Sequence, residues 1–296
     1  MRIEAAATAI GLLLPAAVGA GGWHRLESLA CSDCHTMHGS QSHAYASGSP
    51  VPATPQAGGD WLSATAPNAG LLKAPADQLC VACHDGTTSF APDVIAPVGY
   101  VADPLAGGFE RPVGPSSLGH DLGTPGPIAP PDGATAVVLG CRTCHETHGN
   151  ANYRNLRPRP SGSTLRPEVT VRVDETVVPD GSNPAQVYVR ANADYRAGTS
   201  DWCLDCHDRY DPSTSHPADR VLYGSASVDW AWWRALDPAV RVRTENAQDP
   251  LVPNREQYDE VFCLSCHKAH GSANPDALIY ADGTTLNSTC AQCHHK

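Results

Sequence analysis

Phenylalanine and methionine are nearly missing, with three Phe and two Met in 296 residues, and charged residues make up only 17%. Beyond the first twenty residues no run is apolar enough to cross a bilayer, which takes ~20 residues. The shortage of large apolar side chains stands beside 26 Gly and 26 Pro. Together they exclude long helices, broad sheets and a large side-chain core. A loop-rich chain has little apolar area to set against its ordering entropy, so something else must hold it together. Basic charge is also in deficit. A formal charge of −11 argues against nucleic acid or an anionic lipid surface as partner.

The amino end is the one continuous apolar stretch. Arg2 precedes "AAATAIGLLLPAAVGA", and "VGA" ends it at Ala20. A positive end, a short apolar core broken by Pro15 and small residues at a cleavage point are the marks of an export signal. Residues 1–20 are therefore expected to be a signal peptide. The mature chain is expected to have no membrane span, to be exported, and to work in the periplasm or outside the cell.

What the chain has in quantity is cysteine, twelve residues, and histidine, fourteen. Every cysteine falls in a CxxCH pentapeptide: Cys31 and Cys34, Cys80 and Cys83, Cys141 and Cys144, Cys203 and Cys206, Cys263 and Cys266, Cys290 and Cys293. The following histidines are His35, His84, His145, His207, His267 and His294. Disulfides would leave those six histidines unexplained. Zinc ribbons have no fixed His at that place in every copy, and thioredoxin-like dithiols come singly. Covalent haem c uses all three residues, with two thiols forming thioethers to the vinyl groups and the imidazole binding iron. Six covalently bound haem c groups are expected.

Each iron needs a sixth ligand or an open face. Met37 is the one methionine after residue 20, and it is tethered too near its own motif to reach the far face. Eight histidines remain: His24, His38, His43, His120, His148, His216, His270 and His295. His38, His148 and His270 recur in one setting, CHxxHG. A spacing of three on a helical turn puts both rings on one flank. The second ring is thus expected to bind the iron of a neighbouring haem. His120 in "LGHDLG" and His216 in "SHPADR" each follow the plain second motif of a pair.

The motifs alternate, those at 31, 141 and 263 carrying the HxxHG tail and those at 80, 203 and 290 lacking it. From Cys31 to Lys296 this pattern resembles the doubled-CXXCH multihaem cytochromes c. Hexahaem members of that group from metal-reducing bacteria form extracellular filaments with an unbroken line of haems. The resemblance implies that His38 and His120 serve the first pair, His148 and His216 the second, and His270 part of the third. His24, His43 and His295 compete for the last vacancy, and His24 is favoured. Three modules are expected, at 21–135, 136–225 and 226–296.

The fold class expected is mostly irregular, with short helices and a small β-hairpin around a haem core. The hairpin is placed at 169–178 and 185–191 by alternation around a "PDGSNP" turn, and "VDWAWWRAL" at 228–236 as a brief helix. The function expected is electron transfer along closely spaced bis-histidine haems. Redox partner proteins, extracellular acceptors and further copies of the chain are the expected partners. The rival is a multihaem reductase with one five-coordinate haem.

Overall fold

A computed structural model describes residues 24, 30–35, 43–45, 52–55, 69–73, 75–84, 94–95, 109, 119–122, 126–131, 133–175, 193–210, 218–238, 241–272, 274–280 and 289–295. The signal segment 1–20 and the expected return strand 185–191 lie outside them, as do His38 and His216. Among the described residues the helices are short: α1 Cys31–Cys34, α2 Ala76–His84, α3 Cys141–Cys144, α4 Thr199–Leu204, α5 Trp230–Ala235, α6 Cys263–Cys266 and α7 Thr289–Cys293. Every CxxC lies in one of them or, at Cys206, just past its end. No described helix is long and apolar enough to cross a membrane.

Among the described residues six strands form three antiparallel two-stranded ladders. They are β1 His43–Tyr45 with β2 Pro52–Pro55, β3 Arg172–Glu175 with β4 Ala193–Ala197, and β5 Arg220–Val221 with β6 Glu260–Val261. The alternating stretch around residue 172 does form a hairpin strand, but its partner is 193–197. Arg196 holds that ladder from the side, lying 3.3 Å from both Asp174 and Asp194, and Arg255 reaches Asp194 at 2.9 Å. Glu245 bridges Tyr195 on one side and Glu260 on the other. Residues 193–197 and 260–261 are thus joined through Glu245 by backbone pairing.

The side-chain core is small. Leu222, Trp233 and Val242 form its centre, with Val228, Trp230, Leu236 and Cys293 packed around it. Helix α5 starts where the Asp229 side chain accepts the Trp232 N–H at 3.0 Å, an N-cap that stops the helix from fraying. Its inner face puts Trp233 against α7, which carries the last CxxC. The apolar packing therefore serves to seat a motif.

Candidate functional site

Three CxxC turns are built alike. The second residue between the cysteines is Asp33, Thr143 or Ser265, and each accepts the backbone N–H just ahead of the first cysteine. The bonds run from Ala30 at 2.8 Å, Gly140 at 3.1 Å and Phe262 at 3.1 Å. This satisfies a donor that a helix start leaves orphaned. At the far end the histidine N–H closes the turn on the first cysteine carbonyl, at 2.9 Å for His35 and His145 and 3.1 Å for His267. Two thiols and one imidazole are held by a single helical turn.

The rings are then fixed from behind. Nδ1 of His35 lies 2.9 Å from the Gly70 carbonyl, that of His145 3.0 Å from Arg154, that of His267 2.7 Å from Asp276, and that of His294 2.8 Å from Ser227. A carbonyl can only accept, so Nδ1 carries the proton and Nε2 is left as the lone-pair nitrogen. Burial pushes His145 below the usual imidazole range, which keeps it neutral. An imidazole held in this way presents Nε2 as a metal ligand would, with its outer hydrogen bond in place.

Four of the six rings face another imidazole. Ring centroids are 6.1 Å apart for His35 and His148, 6.1 Å for His84 and His24, 6.2 Å for His145 and His270, and 6.3 Å for His207 and His120. Two metal–imidazole bonds of about 2 Å plus the two ring radii span roughly 6 Å, so each gap fits one metal ion. His120 is anchored by Nδ1 on the Ala269 carbonyl at 2.5 Å, and Phe109 stacks on His270 at 4.6 Å. The glycine ahead of His120 has a reason here. Gly119 and Gly271 are bridged backbone to backbone, and a Cβ on Gly119 would strike His270 O. Only glycine lets the segments carrying His120 and His270 touch.

This arrangement differs from the pair assignments that the resemblance implied. His148 faces the first pair instead of its own, and His120 and His270 both face the second. The cause is the tail itself. After His145 the chain bridges back at Leu156 and throws His148 outward, leaving its side chain 78% exposed. His24 stands opposite His84, whereas His295 lies flat on Trp232 at 3.8 Å and 4.0 Å from the Asp229 carboxylate. Of His43, only the backbone is described, in β1. Among the described residues, no imidazole is set opposite His267.

The thiols follow one another in chain order. Cys34 lies near Cys80, Cys80 touches Cys141, Cys144 lies near Cys206, Cys203 touches Cys263, and Cys266 lies near Cys293. Burial pushes Cys144 and Cys266 up to about 12, and Cys206 and Cys293 to about 11. No group of three or more His, Cys, Asp or Glu among the described residues is placed to hold a metal ion alone. A ring supplying four further nitrogens between paired imidazoles fits what is there. The donor set is that of haem c.

Sequence reasoning missed the carbonyl supports behind the rings, although a signal was present. "NAGLL" at 68–72, "NYRNL" at 152–156 and "NPDAL" at 274–278 are one Asn-x-x-x-Leu pattern, and each supplies the carbonyl facing a first-motif histidine.

Residues 253–296 match a family model described as the doubled CXXCH motif. That match spans the last CxxCH pair, and five-residue motifs of the same form recur upstream. Among solved structures the chain is similar to the outer membrane cytochrome S filament from Geobacter sulfurreducens, at 19% identity, covering 86% of this chain and 84% of that one with a TM-score of 0.48. No curated protein sequence gives a significant match.

Proposed function

We propose that the protein is an exported six-haem cytochrome that passes electrons along a file of bis-histidine irons and joins end to end with further copies of itself. The cysteines of the six motifs would carry the thioethers and the six following histidines the proximal bonds. Three pair modules, with bounds at 21–135, 136–225 and 226–296, would stack in chain order. Haem would supply the one-electron couple. The chain's own part is to fix each ring, hold Nδ1–H on a carbonyl and keep water from the irons.

The observation that carries this reading is an offset of one pair. His148 stands opposite His35 and His270 opposite His145, so each HxxHG histidine serves the preceding pair. The plain-motif sites show an offset of one pair in the opposite direction, since His120 from the first module stands opposite His207 of the second. Continuing the rule assigns His216 to His294. Among the six motifs, the rule assigns no pair to His38 and no ring to His267. His38 of one copy would complete His267 of the next, which makes a polymer.

A second reading has the same observation behind it. An iron on His267 without a distal ring would be open, as a reductase requires. Low-temperature EPR of the oxidised protein, with carbon monoxide added to the reduced form, separates the two. Assembled protein that is wholly low-spin and ignores the gas supports the electron carrier. A high-spin fraction near one iron in six that persists in the polymer, and binds the gas, would establish the enzyme.

A further inference from the structure

The Asn-x-x-x-Leu segments share a conformation that is costly to hold. Each is a 3-10 turn with two successive residues at positive φ: Gly70 and Leu71 at 69° and 57°, Arg154 and Asn155 at 49° and 57°, Asp276 and Ala277 at 55° each. For a residue other than glycine this left-handed region costs roughly 1–2 kcal/mol. Such conformations persist where surrounding contacts over-determine them.

Those contacts repeat. Asn152 and Asn274 each donate from Nδ2 to the carbonyl of the turn's leucine, Leu156 or Leu278, at 3.0 Å. The leucines bridge the histidines in all three copies, as His35 with Leu72, His145 with Leu156 and His267 with Leu278. The next N–H returns to the second cysteine, from Lys73 to Cys34 at 2.9 Å and from Arg157 to Cys144 and Ile279 to Cys266 at 2.8 Å. So held, the first left-handed residue directs its carbonyl at Nδ1. His294 takes its carbonyl from Ser227 instead.

We propose that this turn is a positioning device: its left-handed pair, closed by Asn152 and Asn274 in the second and third copies, sets the ring plane and basicity of His35, His145 and His267, and so tunes the potential of the iron each would bind. The inference rests on the bis-histidine reading above. A hydrogen bond from Nδ1 makes the imidazole a stronger donor, which favours the ferric state. Three sites built on one turn form a matched redox class, distinct from the sites of the plain motifs.

Position 70 allows a clean test, because a Cβ there would meet nothing within 4 Å. Asn tolerates the left-handed region and a β-branched residue does not. In the full haem-loaded protein, Gly70→Val is expected to shift the ferric-to-ferrous ratio of one haem about tenfold towards ferrous at fixed potential, ~59 mV for one electron. Its EPR g values should move as well. Gly70→Asn should leave both where they were, and Asn152→Ala should repeat the shift at the third site. Equal potentials and g values in Gly70→Val and Gly70→Asn would overturn the proposal. Should Gly70→Val fail to fold, Asn152→Ala decides alone by the same two readouts. A failure of the bis-histidine reading looks different, because the unaltered protein would already show high-spin iron.

Discussion

His145 and His270 face one another at 6.2 Å between ring centroids and cross at 67°, although they belong to different CxxCH pairs. Each ring is fixed independently, His145 by the Arg154 carbonyl and His270 by the Phe109 ring stacked on it. The gap between them is therefore set by protein contacts on both sides. His270→Ala is expected to convert one haem in six to a high-spin form that binds carbon monoxide. EPR of the oxidised variant checks this. Loss of a second haem signal would mean that His270 does more than complete one site.

His38→Ala separates assembly from folding. With His38 serving the next copy, the variant should fold, keep six haems by mass and fail to polymerise in negative-stain micrographs. It should also gain one high-spin iron. If the variant polymerises normally and stays low-spin, His38 is not the joining ligand.

Buried carboxylates give the fold a pH dependence. Glu245 is 6% exposed, and burial, then its acidic neighbours Asp219 and Glu260, push it above the usual range. Burial raises Asp219 and Glu260 too. A raised folded value means the native state binds more protons than the unfolded chain, so stability is highest below the unfolded value. It falls as pH rises through the folded one. Each tenfold difference in proton affinity between the folded and unfolded chain is worth about 1.4 kcal/mol. Denaturant titrations should show Glu245→Gln more stable than the parent at pH 8, with the gap closing towards pH 4.

The small core leaves little redundancy. Trp233 is 1% exposed and Leu222 likewise, packed together beneath the last motif. Truncation of Trp233 to Ala should cost about 3–5 kcal/mol. Haem content by mass should fall selectively at Cys290 and Cys293, because α5 seats that turn. Thermal unfolding and peptide mapping of attached haem would together show whether the loss is local.

The attachment chemistry was legible in the sequence because it is contiguous: a thiol pair and an imidazole fit within five residues. The HxxHG tails were legible for the same reason, and so was the loop-rich fold, from its glycine and proline. The facing rings were not. His120 reaches His207 through a backbone bridge between Gly119 and Gly271, and nothing near His120 in the chain announces that contact. The Asn-x-x-x-Leu turns stayed hidden for a different reason. Asn152 and Asn274 each lie seven residues after their motif histidine, but Asn68 lies 33 residues after His35, and the repeat does not align until the turns are seen in space. In the hairpin, β3 was legible from alternation, while its partner was set by the salt bridges of Arg196 and Arg255, which no local pattern encodes.

The one-pair offset of the facing rings bears on how such a chain can grow. With neighbouring pairs exchanging rings in both directions, inserting or deleting one whole pair would leave every interior gap filled and the two ends unchanged. Chains of different length would then remain interchangeable at their junctions, like carriages with a common coupling. Descent by duplication of a single unit would need no new joint.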